Sequence, residues 1–182
     1  RTVYPHLKAE PGPVVRRAID AGVLAQLTAS DIEKLVPLGL LDELADAVAG
    51  QLASLSQDLR ILLLKLSVSD KIVGSPRARR LLAMLLKSVS SEPITAKGDV
   101  GRAVQEAIRL LREAAPPVER PALLAPTVGI FPSKTITTED LLTLATLVED
   151  DATMSEQERA AAWPHDELLA RTLERAVGGV SR

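Results

Sequence analysis

Three times the chain writes the same helix opening: Ser30 is followed by Glu33, Thr137 by Asp140, and Ser155 by Glu158. A hydroxyl at the cap accepts from the backbone N–H three residues on, and an acid there reaches back to the cap's own N–H. Each pair thus satisfies donors that a new helix leaves open. A fourth opening, Ser75 then Pro76, joins a hydroxyl cap to the residue whose fixed φ suits a first helical turn. A chain with this many helix starts must bury helical stripes against one another.

The apolar residues suit that task. They make up 46% of the chain, but only Tyr4, Phe131 and Trp163 are aromatic, so the core is built from Leu, Val, Ile and Ala. Strands draw on aromatic and β-branched side chains, whereas leucine and alanine favour helix. The expected fold is all-α, about eight helices in an irregular helical bundle with Pro-rich extended arms.

Prolines divide the chain. Pro5, Pro11 and Pro13, with Gly12, block helix and make residues 1–13 an extended N-terminal arm. Residues 14–114 form the main helical bundle. Pro116, Pro117, Pro121, Pro126 and Pro132 make 115–136 a linker or a packed arm, and 137–182 is a C-terminal helical segment of the same domain or of a second one.

Within these limits, Pro13 opens a helix that Gly22 stops, and the Ser30 helix ends before Pro37. Leu40, Leu41, Leu44, Val48, Leu52 and Leu55 recur at helical spacing, with Gly50 the expected break. Apolar residues face nearly all directions over Ile61 to Leu66, which predicts the most buried helix there. A helix over 75–88 follows, then one capped by Asp99 that lines up Val100, Val104, Ala107, Ile108 and Leu111. Thr137 opens a helix that turns Leu141, Leu144, Ala145 and Val148 to one side, and Pro164 starts a last helix ending at Gly178 and Gly179. A short extended piece over 127–131 is the one strand-like stretch.

Several chemistries find no support. Without cysteine the chain has no disulfide, thiolate metal site or cysteine nucleophile. His6 and His165 stand alone, with no second ligand at metal spacing, and there is no Gly-rich phosphate loop or nucleophile elbow. Glu149, Asp150 and Asp151, with Glu156 and Glu158, lack the calcium-loop pattern and read as a solvated helix end. No metal, no cofactor and no enzymatic activity are expected. The longest apolar run, Ile61 to Leu64, is far short of the ~20 residues of a membrane span. With no signal-peptide pattern either, the expected location is cytoplasmic. The chain opens on Arg1 rather than Met, the expectation for a processed or excised piece.

Charge is segregated. Residues 1–59 hold 5 basic and 8 acidic side chains, 60–112 hold 11 and 4, and 113–182 hold 6 and 12, so a basic middle lies between acidic flanks. Arg77, Arg79 and Arg80 enter the first turn of the 75–88 helix, where cations oppose the macrodipole by about 0.3–1 kcal/mol. An anion among them would reverse that sign. Together with Lys87, Arg102, Arg109 and Arg112 they form a candidate anion or phosphate site. The anion would be a phosphate, an acidic partner, or the chain's own residues 149–151.

The leading expectation is a non-enzymatic helical protein–protein interaction domain, acting as adaptor, regulator or assembly subunit. It would self-associate or bind a protein partner, with Tyr4, Phe131 and Trp163 as candidate contacts. The alternative is nucleic-acid or phosphate-ligand binding through 60–112, which lacks the aromatics that stack single-stranded bases. A viral or phage structural component is a second alternative.

Overall fold

The computed structural model describes residues 19–26, 28, 32–33, 40–43, 45–89, 98–131 and 137–163. The arm at 1–13, the Ser30 cap and the helix from Pro164 lie outside the described residues. The described residues are all-α, with no strand among them. The stretch expected to be extended, 127–131, ends a 3-10 turn and then bends.

Gly22 stops the first helical residues as expected. Its φ of +73° suits a residue without Cβ, and its N–H reaches the Ile19 carbonyl at 2.9 Å. A helical turn at Leu40–Glu43 then leads into α1 (Ala45–Gln51), a 3-10 turn (Leu52–Ser54) and α2 (Gln57–Ser69). The break expected at Gly50 falls instead at Leu55 and Ser56, whose backbones are extended. A glycine disfavours helix by only about 1 kcal/mol, whereas the Ser56 hydroxyl accepts from the Leu59 N–H and defines a new start.

Helix α3 (Pro76–Val89) begins where the Ser75–Pro76 pair places it, the Ser75 hydroxyl accepting from the Ala78 N–H at 3.1 Å. The same hydroxyl donates to Asp42, tying this start to the turn before α1. Helix α4 (Asp99–Ala114) is capped by Gly98, so Asp99 is the first helical residue and not the cap. There its charge still favours the positive end of the dipole.

Past a turn at 117–119, α5 (Arg120–Leu124) and a 3-10 turn (Ala125–Thr127) carry the Pro-rich stretch. Helices α6 (Thr138–Thr153) and α7 (Glu156–Ala162) both open with closed capping boxes. Asp140 N–H reaches the Thr137 hydroxyl at 3.1 Å and Thr137 N–H reaches the Asp140 carboxylate at 3.1 Å. In α7, Ser155 N–H reaches Glu158 at 2.9 Å and the return bond is 3.3 Å.

One apolar cluster runs from Ile19 to Trp163. Its middle is α3, which packs against α1, α2, α4 and α5 and buries Leu81, Leu82, Leu85 and Leu86 almost completely. Each such leucine contributes about 1.5–3 kcal/mol of burial. The helix expected to be most buried, α2, has its main contacts with α3 and α4 only, and Ile61, Leu62 and Leu66 stay half-buried. Its all-round apolar surface reflects a place at the margin of two neighbours, not at the centre of four.

Helix α6 departs furthest from its sequence pattern. The stripe Leu141, Ala145 and Val148 points to solvent and Leu144 is half-buried, while Asp140, Thr143, Leu147 and Asp150 face inward. Polar side chains explain the reversal. Gly129 N–H donates to Asp140 at 2.8 Å, Arg112 pairs with Glu139 at 2.8 Å, and Arg120 pairs with Asp150 at 2.7 Å. Asp140 and Asp150 are buried on the same side of α6 as Leu147, and satisfying them fixes which side of the helix meets the body.

Candidate functional site

The arginines at the start of α3 take three different positions. Arg79 is buried and already has its anion: Nε donates to Glu119 Oε2 at 2.8 Å and Nη2 to Oε1 at 3.0 Å. Its Nη1 also donates to the carbonyls of Val73 and Gly74. The turn at 117–119 brings Glu119 there, forty residues away in sequence. Arg77 is exposed, 4.0 Å from Asp46. Arg80 is exposed and pairs with no carboxylate among the described residues, and the same is true of Lys87 two turns on.

The cations of α4 are also largely matched by carboxylates. Arg102 pairs with Asp99 within the first turn, and Arg112 with Glu139 of α6. Arg109 lies between Glu106 and Glu113, donating to the first from Nε at 2.8 Å and to the second from Nη1 at 2.7 Å. Hydrogen bonds from Arg109 hold the Glu106 carboxyl below its ordinary range, and those same bonds push the Arg109 guanidinium further up. Asp99 is lowered in the same way, first by its hydrogen bond from Arg102. The seven cations therefore do not converge on one point.

Arg80 and Lys87 do share a feature. With Ala83 and Met84 they form the i, i+3, i+4, i+7 edge of α3 along an open groove of about 340 Å³. The opposite wall comes from Leu123, Pro126 and Ile130 of the Pro-rich stretch. Thr127, also on that wall, donates its hydroxyl to the Leu124 carbonyl at 2.7 Å. The groove is an apolar trough with a cation at each end, about 10 Å apart along the helix.

A second surface is the outer stripe of α6. Leu141, Leu142 and Val148 are 53%, 46% and 57% exposed, and Met84 in the groove is 39% exposed. Of the five large hydrophobics exposed among the described residues, only Val118 lies outside these two surfaces.

Of the three aromatics, Tyr4 lies outside the described residues. Phe131 and Trp163 are both in the apolar core, 5% and 6% exposed. Sequence reasoning did not single out Met84, Leu142 or Glu119, and it gave Asp140 its capping role but not its bond from the Gly129 N–H. Met84 had a readable signal, since it falls off the stripe formed by Leu82, Leu85 and Val89. The Glu119 pairing had none, because it depends on a turn formed far along the chain.

Among the described residues no group of three His, Asp or Glu side chains is placed to hold a metal ion. No described helix is long and apolar enough to cross a membrane. Comparison with family models, curated proteins and solved structures finds no match to this chain.

Proposed function

We propose that this chain is a non-enzymatic helical interaction domain, an adaptor or assembly subunit that works through the outer face of α6. The observation that carries this reading is the orientation of α6, which holds its polar edge inward and offers Leu141, Leu142 and Val148 to the outside. Scattered exposed hydrophobics are ordinary, but three on one helix surface, opposite a stapled polar edge, have the character of a contact face.

The phosphate reading has less behind it. Arg79, Arg102, Arg109 and Arg112 each have a carboxylate partner within the fold, leaving Arg77, Arg80 and Lys87 for an external anion. Affinity for a polyanion grows with the number of phosphates neutralised, and three spread cations give a small number.

The test compares the native chain with Leu141→Asp/Val148→Asp, both exposed positions, by sedimentation over a concentration series and by pull-down. The expected result is self-association or partner binding that the double substitution removes while the melting temperature holds. A monomer at every concentration that also retains no partner sensitive to the α6 substitution overturns the reading.

A further inference from the structure

The α3–α5 groove and the α6 stripe complement each other. We infer that the groove of one copy receives α6 of a second copy, so that copies join head to tail; this rests on the reading of α6 as a contact face.

Length comes first. The groove edge runs from Arg80 to Lys87 and the stripe from Leu141 to Val148, each an eight-residue stretch of about two helical turns. A helix laid along the trough sets Leu141, Ala145 and Val148 against Ala83, Met84 and Leu123. Charge agrees. The groove ends in two cations without a described partner, while α6 carries Glu139, Asp140, Glu149, Asp150 and Asp151 and no basic residue. Glu139, Asp140 and Asp150 are engaged within the fold, and Arg159 stands 3.0 Å from Asp151. Glu149, next to Val148, is exposed and has no partner among the described residues, so it is free to meet Arg80 or Lys87 across the contact. The carbonyl end of α6, with its partial negative charge, adds to the attraction.

The contact has to be made between molecules. Asp140, Glu139 and Asp150 fasten the opposite edge of α6 to Gly129, Arg112 and Arg120, so the helix cannot turn its outer stripe toward its own groove. Because the two surfaces differ, the interface is heterologous and leaves one free groove and one free stripe on each growing assembly.

That asymmetry supplies the test. One variant blocks the groove, Arg80→Glu/Met84→Glu/Lys87→Glu, with all three positions exposed on α3. The other blocks the stripe, Leu141→Asp/Val148→Asp. Light scattering on the full chain should show native mass rising with concentration, and each variant alone monomeric, its self-association weakened by about tenfold or more. Mixed in equal amounts, the two variants should form a species of twice the chain mass and stop there, since one intact groove and one intact stripe remain. Two outcomes overturn the inference and leave α6 as a contact face: association that survives the groove substitutions, and loss in both variants with no recovery on mixing, the pattern of α6 against α6. A native chain that stays monomeric also overturns it, as expected if residues 164–182 fill the groove. The partner-binding arm of the previous test then decides whether α6 contacts another protein.

Discussion

Arg79 and Glu119 form a two-pronged ion pair, Nε to Oε2 at 2.8 Å and Nη2 to Oε1 at 3.0 Å, between the first turn of α3 and the turn that precedes α5. Arg79 is nearly buried and Glu119 about one-third exposed, so the carboxylate neutralises a cation that water no longer reaches. The pair pins the start of the Pro-rich stretch to the most buried helix, and through it one wall of the groove.

Removing one partner leaves the other unmatched. Glu119→Ala should destabilise the chain by about 2–3 kcal/mol in chemical denaturation, because the buried guanidinium keeps only two carbonyl acceptors. Arg79→Lys should lose most of the same amount, since an ammonium cannot reproduce the fork. A denaturation midpoint unchanged in Glu119→Ala would show that water or another carboxylate reaches Arg79.

Helix α6 predicts an inversion of the usual ranking, in which an aspartate matters more than a leucine. Asp140 accepts from the N–H of Gly129 and from both the N–H and hydroxyl of Thr137. Asp140→Ala removes the cap and the staple together and should cost about 2 kcal/mol. Leu141→Ala, one position on, should change stability by less than about 0.5 kcal/mol. Equal losses at the two positions would mean that Leu141 is covered in the free chain.

The helix openings were legible because their signals are local: Ser75–Pro76, Thr137 with Asp140 and Ser155 with Glu158 each need only neighbouring residues. The facing of α6 was not. Its sequence offers two stripes, Leu141–Ala145–Val148 and Asp140–Thr143–Leu147–Asp150, and hydrophobicity alone selects the first. The second wins inside because Arg112 and Arg120 wait there, 27 and 30 residues away from their acids. The anion question at α3 has the same character. A cation in a first turn signals an acid nearby, but which acid depends on the turn that delivers Glu119.

Acid should loosen α7 early. The Ser155 hydroxyl, and after it the Ser155 backbone N–H, hold the Glu158 carboxyl below its ordinary value of 4.5. A carboxyl with a depressed value in the folded chain stabilises it fully above the unfolded value and loses that contribution as pH falls through the folded one. Protection of the α7 amides from hydrogen exchange should therefore decline below about pH 4.5, and Ser155→Ala should move the Glu158 titration back up toward 4.5. A Glu158 titration that is the same in both proteins would exclude the capping bond as the cause.

Trp163 closes α7 and is the chain's single tryptophan, so its fluorescence reports on one place. Buried in the core, it should emit at short wavelength in the native chain and shift to the red on unfolding. Its indole N–H has no acceptor among the described residues, which lowers the cost of replacing it by another aromatic ring. Trp163→Phe should cost about 1 kcal/mol or less, whereas Trp163→Ala, which empties the site, should cost about 3–5 kcal/mol. The same probe separates two kinds of contact. Association through α6 and the groove leaves Trp163 in its surroundings, so the emission maximum should hold steady while light scattering records growing mass. A blue shift that tracks the mass would place Trp163 itself at the interface, and with it the end of α7 rather than the outer stripe of α6.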